Sequence, residues 1–291
     1  MNFWNSRYVM LVRRELWEHR TLWLAPAVVA ALMVILPMFG NFRAGPGFQI
    51  NVNAPEVPTA VQQYFGQIVM VSLATVLGVV SCIVSVIYLL DSLFAERKDR
   101  SILFWKSLPV TDTETVLSKL VLALVIIPLM TLLLAFAAYC MLAGLLYLRY
   151  EQLRPALENL SLAQGLISVG QLVNTWLFVL LWYAPVAAYL MLASVLARRA
   201  PLVYAVLPPF VVVMIESMLF GTDHVARLLR RWLLPTSQRD PASDFRLSDG
   251  RIMDGPDWAN ALSQPDIWLG LAAAVVMVYI VIRLRRYRDD T

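Results

Sequence analysis

The sequence predicts an all-α polytopic membrane protein: six transmembrane helices, an N-terminal amphipathic interfacial helix before them, and a short cytoplasmic helix between spans two and three. Three observations predict it. Of the 291 residues, 59% are hydrophobic and 15% charged, with mean hydropathy +0.66, too little charge to cover a soluble domain of this length. Apolar runs occupy residues 22–39, 68–94, 120–148, 172–196, 202–220 and 267–284. Each can cross a hydrocarbon layer about 30 Å thick as a helix rising about 1.5 Å per residue. Lysine and arginine crowd into alternate short connections, which assigns those connections to the cytoplasm. The chain reads as a single membrane domain, 1–291, with an interfacial helix at 1–20, a cytoplasmic loop at 95–119 and an outer loop at 221–266.

The first twenty residues place Trp4, Tyr8, Leu11, Val12 and Leu16 on one side of a helical wheel and Arg7, Arg13, Arg14, Glu18 and Arg20 toward the other. Glu15 falls inside the apolar arc. Either its carboxylate reaches out to water, or a basic group from a neighbouring segment meets it, because a carboxylate near lipid needs a partner. Arg97 and Arg100 are the expected partners. Acids and bases precede the first apolar run and no small-residue cleavage motif follows it, so this span is expected to be retained.

Spans four and five are separated by "ARRAP", where Arg198 and Arg199 stop one helix and Pro201 starts the next. The N-terminal segment, the 95–119 loop, this hairpin and the tail carry the clustered charge, so both termini are assigned to the cytoplasmic side of a plasma membrane, the inner one in a Gram-negative cell. In the outer loop Val225, Leu228, Leu229, Trp232 and Leu233 repeat at three-and-four spacing, with Arg227, Arg230 and Arg231 elsewhere on the wheel. Thr222 or Asp223 is placed to cap this short helix on the outer membrane face. From 235 to 265 the chain is rich in Pro, Asp, Ser and Gly and reads as an exposed loop.

The stretch "AERKDRSILFWKSLPVTDTETVLSKL", residues 95–120, holds the densest information. Asp99 or Ser101 can cap a helix of about two turns that ends before Pro109. Thr111 and Glu114 then form a T-x-x-E capping box that starts the helix of span three. The short helix presents Ile102, Phe104, Trp105 and Leu108, with Glu96, Arg97, Lys98 and Arg100 beside it. Either the membrane interface covers these side chains or another protein does, since aromatic anchors ringed by charge are common binding hot spots.

Glu96-Arg97, then Leu108-Pro109-Val110, then Glu114 and Lys119 resembles the first cytoplasmic loop of ABC-2 type permeases, the membrane subunits of ATP-binding-cassette exporters. "RREL" at 13–16 is similar to the connecting helix before that family's first span, and the whole order of elements matches the family's architecture. The resemblance implies that Ile102 to Leu108 form a coupling helix docking into a separate ATPase subunit, aided by Glu96, Arg97 and Arg100, with Arg14 and Glu15 coupling through the connecting helix. It also implies a second permease copy as a homodimer, and ATP with Mg bound by the partner ATPase and no cofactor in this chain.

Motif searches agree with a non-enzymatic chain. No G-x-x-x-x-G-K-[ST], H-E-x-x-H or G-x-S-x-G occurs, and there are two histidines and two cysteines, Cys82 and Cys140, both in apolar runs. Nothing suggests nucleic acid as a partner. Glu216, about a turn from the outer end of span five, either lines a passage or reaches the headgroups. Gly78, Ser81, Ser85 and Ser92 follow helical spacing along span two and suit close helix packing; Ser81 and Ser85 with Glu216 are candidate substrate-path residues. Tyr88 and Asp91 lie at the inner end of the same span. The mostly apolar spans favour a hydrophobic or amphipathic cargo. Two rival functions stand beside export: an ion-gradient-driven transporter, which needs ionisable groups near mid-membrane, and a membrane scaffold recruiting a cytoplasmic partner without transport.

Overall fold

The computed structural model describes residues 7–39, 43–44, 48–49, 59–99, 111–149, 162–233 and 258–287. Helices α1 (Arg7–Glu18) and α2 (Thr21–Phe39) open the chain, followed by a two-residue ladder pairing β1 (Arg43–Ala44) antiparallel with β2 (Phe48–Gln49). Then come α3 (Thr59–Lys98), α4 (Asp112–Val121), a π-helical turn (Leu122–Ile126), α5 (Ile127–Arg149) and α6 (Leu162–Leu196). α7 (Pro201–Phe220), α8 (His224–Leu233), α9 (Trp258–Ser263) and α10 (Pro265–Tyr287) complete the described chain.

Among the described residues five stretches are long and apolar enough to cross a membrane: Gly66–Lys98, Asp112–Arg149, Gly165–Leu196, Pro201–Phe220 and Pro265–Tyr287. The chain is therefore a multi-pass membrane protein. α1 and α2 meet at a 62° bend and add a sixth stretch when the bent pair is taken as one. α3 begins at Thr59 and α6 at Leu162, nine and ten residues ahead of the apolar runs. Hydropathy marks only the length that suits lipid, whereas backbone hydrogen bonding carries a helix onward into water. At 40 residues α3 is about 60 Å long.

Pro128 explains the break between α4 and α5. Its nitrogen has no hydrogen to donate to the carbonyl four residues back, and just before it the chain widens so that the Ile127 amide donates to Leu122 O, five residues back. A continuous helical path from Asp112 to Arg149 survives.

α3 and α6 run against each other through the middle of the bundle; α10 lies along α6, α2 and α5 lie along α3, and α7 touches α6, α3 and α8 but is otherwise exposed. One apolar cluster, including Leu93, Val116, Met191 and Val281, fills the end where α3 finishes and α4 starts. A second, including Met70, Leu73, Leu77 and Tyr139, fills the half nearer the start of α3. Gly165 lets α6 pass close over α5, since a Cβ there would stand 2.9 Å from Tyr139 Cε1. At this second end the Trp258 indole donates to Asn174 Oδ1 at 2.9 Å, tying α9 to the start of α6.

Candidate functional site

At the first end of the bundle, five charged side chains from four helices form a continuous ionic path. α1 buries Leu11 and Glu15 on one side and exposes Arg13 and Trp17 on the other, so the Glu15 carboxylate points into the protein. Lys119 Nζ meets Glu15 Oε1 at 2.8 Å and Glu96 Oε1 at 3.1 Å. The Arg285 guanidinium continues the path, with Nη2 at 3.1 Å from Glu96 Oε2 and Nε at 3.1 Å from Asp112 Oδ1. Signs alternate along it: Glu15, Lys119, Glu96, Arg285, Asp112.

Local structure explains why these residues converge. The Thr111 side chain accepts from the Glu114 amide at 3.2 Å while the Thr111 amide donates to Glu114 Oε2 at 2.8 Å, the expected capping box. That cap starts α4 with Asp112, Thr115, Val116 and Lys119 on one face, and the last three are buried. Glu96 follows Tyr88 and Ser92 at four-residue spacing on the buried face of α3, and Arg285 follows Val281 on α10. Glu15 is 3% exposed, Lys119 1%, Arg285 5% and Glu96 8%. Stripping several kcal/mol of hydration from each ion is tolerable only because opposite charges flank it.

Two rings complete the site. Tyr88 donates its hydroxyl to Glu15 Oε2 at 2.9 Å, and His19, stacked edge-on against Tyr88 with centroids 5.3 Å apart, brings Nε2 to 3.9 Å from the same oxygen. Burial alone would push the Glu15 carboxyl up; the Lys119 ammonium, its hydrogen bond and that of Tyr88 outweigh this and hold it below its ordinary value. Glu15 sits on α1, which precedes the apolar helix α2 and meets it at the 62° bend.

The expected partner of Glu15 was Arg97 or Arg100. Its partner is Lys119. Arg97 instead turns to α6, where Nη2 donates to Ser194 O at 2.6 Å and Ala197 O at 3.0 Å, holding the last carbonyls of that helix. Arg14 lies on the outer side of α1, paired with Glu18 at 2.7 Å. Arg100, Ile102, Phe104, Trp105 and Leu108 lie outside the described residues.

The candidate path residues have other engagements. Ser81 is buried and shares a hydrogen bond with Thr131 across α3 and α5, while Ser85, a turn farther on, is half-buried. Glu216 caps α8: Oε1 accepts from Thr222 Oγ1 at 3.0 Å and the His224 amide at 2.7 Å, and Oε2 from the Val225 amide at 2.7 Å. The side-chain cap expected from Thr222 or Asp223 thus comes from the preceding helix, because Gly221, at φ 59°, turns the chain back in a left-handed conformation open to glycine. Cys82 and Cys140 are free thiols, and among the described residues no three His, Cys, Asp or Glu side chains gather as a metal site.

Sequence reasoning missed Lys119 and Arg285. Lys119 stands in the sequence as loop charge and as part of the motif that carries the resemblance, and Arg285 as tail charge, although Lys119 shares the face of Val116 and Arg285 that of Val281.

No family model, curated protein or solved structure matches the chain.

Proposed function

We propose that the chain is the membrane-spanning permease subunit of an ABC-2 type exporter, working as a homodimer with a separate ATPase that binds ATP and Mg. In this reading α2 is the first of six spans, α1 lies along the cytoplasmic face, and both termini are cytoplasmic. One observation carries it: Arg285 holds Glu96 and Asp112, which flank the 99–111 connection between α3 and α4, and through Lys119 the same ions reach α1. A push on that loop reaches α1, α3, α4 and α10 together instead of being lost in a flexible hinge. Such a junction suits a device driven from outside the membrane. An ion-coupled carrier would place its titratable groups near mid-membrane, whereas the acids within the apolar runs, Asp91 and Glu216, stand near span ends.

Gentle extraction should bring down a stoichiometric ATP-binding subunit with the wild-type chain; its absence removes the permease reading. The variant Phe104→Ala with Trp105→Ala should insert normally yet lose that subunit, since a central aromatic anchor commonly contributes about 2 kcal/mol or more to an interface. A variant that keeps the subunit removes the docking assignment.

A further inference from the structure

We propose that α8 is a lipid-headgroup clamp: Arg227 and Arg230 on its exposed face bind the phosphates of anionic lipids, and Glu216 of α7 holds the helix in the headgroup layer.

Depth comes first. α7 has 20 residues and so spans about 30 Å, the thickness of a hydrocarbon layer. It ends at Phe220, and α8 starts four residues later, which places α8 at the boundary between acyl chains and headgroups. Aromatic residues on the neighbouring helices α6, α9 and α10 suit such a boundary. Phe178 meets Trp258 edge-on at 5.6 Å and stacks on Trp182 at 6.0 Å, and Trp268, 58% exposed, donates its indole N–H to Leu262 O at 2.9 Å. Tryptophans with one apolar side and one polar contact gather at membrane interfaces.

Attachment comes next. Both oxygens of Glu216 accept from the first turn of α8, and Gly221 supplies the sharp turn, so α8 cannot pivot freely about the end of α7. This carboxylate also lies against the helix start, and within α8 itself the charged side chains are arginines.

The chemistry then follows from the exposed face. Val225 and Leu229 are half-buried, whereas Arg227 and Arg230 stand exposed. Arg227 is drawn toward the helix start, where its Nε donates to Asp223 O at 3.3 Å and its Nη2 lies 2.9 Å from His224 Nδ1, neither of them a carboxylate oxygen. Among the described residues no carboxylate pairs with either arginine. Two uncompensated guanidiniums fixed at headgroup depth complement lipid phosphates, which they can bind through two N–H groups at once. Nothing in this inference requires an ATPase partner.

The test uses the full chain in neutral detergent with equal amounts of phosphatidylglycerol and phosphatidylcholine, retained lipid being counted by native mass spectrometry. Each arginine beside anionic headgroups contributes about fivefold, so with two of them the wild type should favour phosphatidylglycerol by about 25-fold. Arg227→Gln with Arg230→Gln should abolish that preference, while the corresponding lysine pair should keep most of it. Glu216→Gln is the discriminating variant. It adds one unit of net positive charge, so unspecific attraction predicts more phosphatidylglycerol, whereas loss of the clamp predicts less. A wild-type preference in the glutamine pair, or a gain in Glu216→Gln, overturns the proposal. Millimolar inorganic phosphate should not displace the lipid; displacement would make this a free-anion site and overturn it equally.

Discussion

Glu15 and Lys119, 104 residues apart in the chain, meet at 2.8 Å with both side chains almost wholly withdrawn from solvent. Removing the cation alone strips Glu15 of its ammonium partner and leaves Glu96 with Arg285 as its remaining cation. Lys119→Met should therefore cost about 3–5 kcal/mol. Glu15→Gln should cost less, because Lys119 keeps Glu96. Combining the two should recover part of the loss, read as a rise in thermal midpoint over Lys119→Met alone. Strictly additive effects would show that the pair carries no coupling.

Protonation gives a second handle on the same pair. The Glu15 carboxyl is held below its ordinary value of 4.5, so it binds protons more weakly folded than unfolded. Its contribution is complete above the unfolded value and is withdrawn as pH falls through the lower folded value. The difference in thermal midpoint between wild type and Glu15→Gln should stay constant from neutral pH to about 5 and shrink in more acid solution. A difference that grows on acidification would contradict the pairing.

Arg285→Gln should loosen the helix ends on either side of the 99–111 connection without disturbing the far end of the bundle. Hydrogen exchange at the start of α4 and the end of α3 should rise by on the order of tenfold, with α8 unchanged. Equal changes at both ends would mean a general loss of stability instead.

Orientation is open to direct labelling. With Cys82 and Cys140 replaced by serine, Ser107→Cys and Ser237→Cys should react from opposite faces of the membrane. Labelling from one face would end the six-span arrangement.

Apolar length and capping were legible because both are local. The capping box at Thr111 and Glu114 forms as its spacing predicts, and the long helices coincide with the apolar runs except where they outlast them. Glu15 was visible as a misfit on an apolar arc, but its partner was not. Lys119 comes from a segment that only folding brings near α1, and one lysine in a basic loop looks like any other. Glu216 was equally ambiguous: a carboxylate near a span end gives no sign that a left-handed turn at Gly221 will bring the next helix start back to it. Arg97 was an expected partner of Glu15, and nothing local shows that it reaches carbonyls near the end of a helix about a hundred residues downstream.

The π-helical turn at Leu122–Ile126 sets the azimuth of everything on either side of it. An ordinary helix advances about 100° per residue, so the one extra residue in the widened turn rotates the α4 face relative to the α5 face by about that angle. Deleting a single residue there, together with Pro128→Ala, would restore an ordinary helix and leave hydropathy nearly unchanged. It would also swing Asp112 and Lys119 away from Arg285 and Glu15 while Thr131 still faced Ser81. Length within this span is thus a phase variable, and a one-residue insertion or deletion near 122–126 should be tolerated far less well than a change of side chain at the same positions.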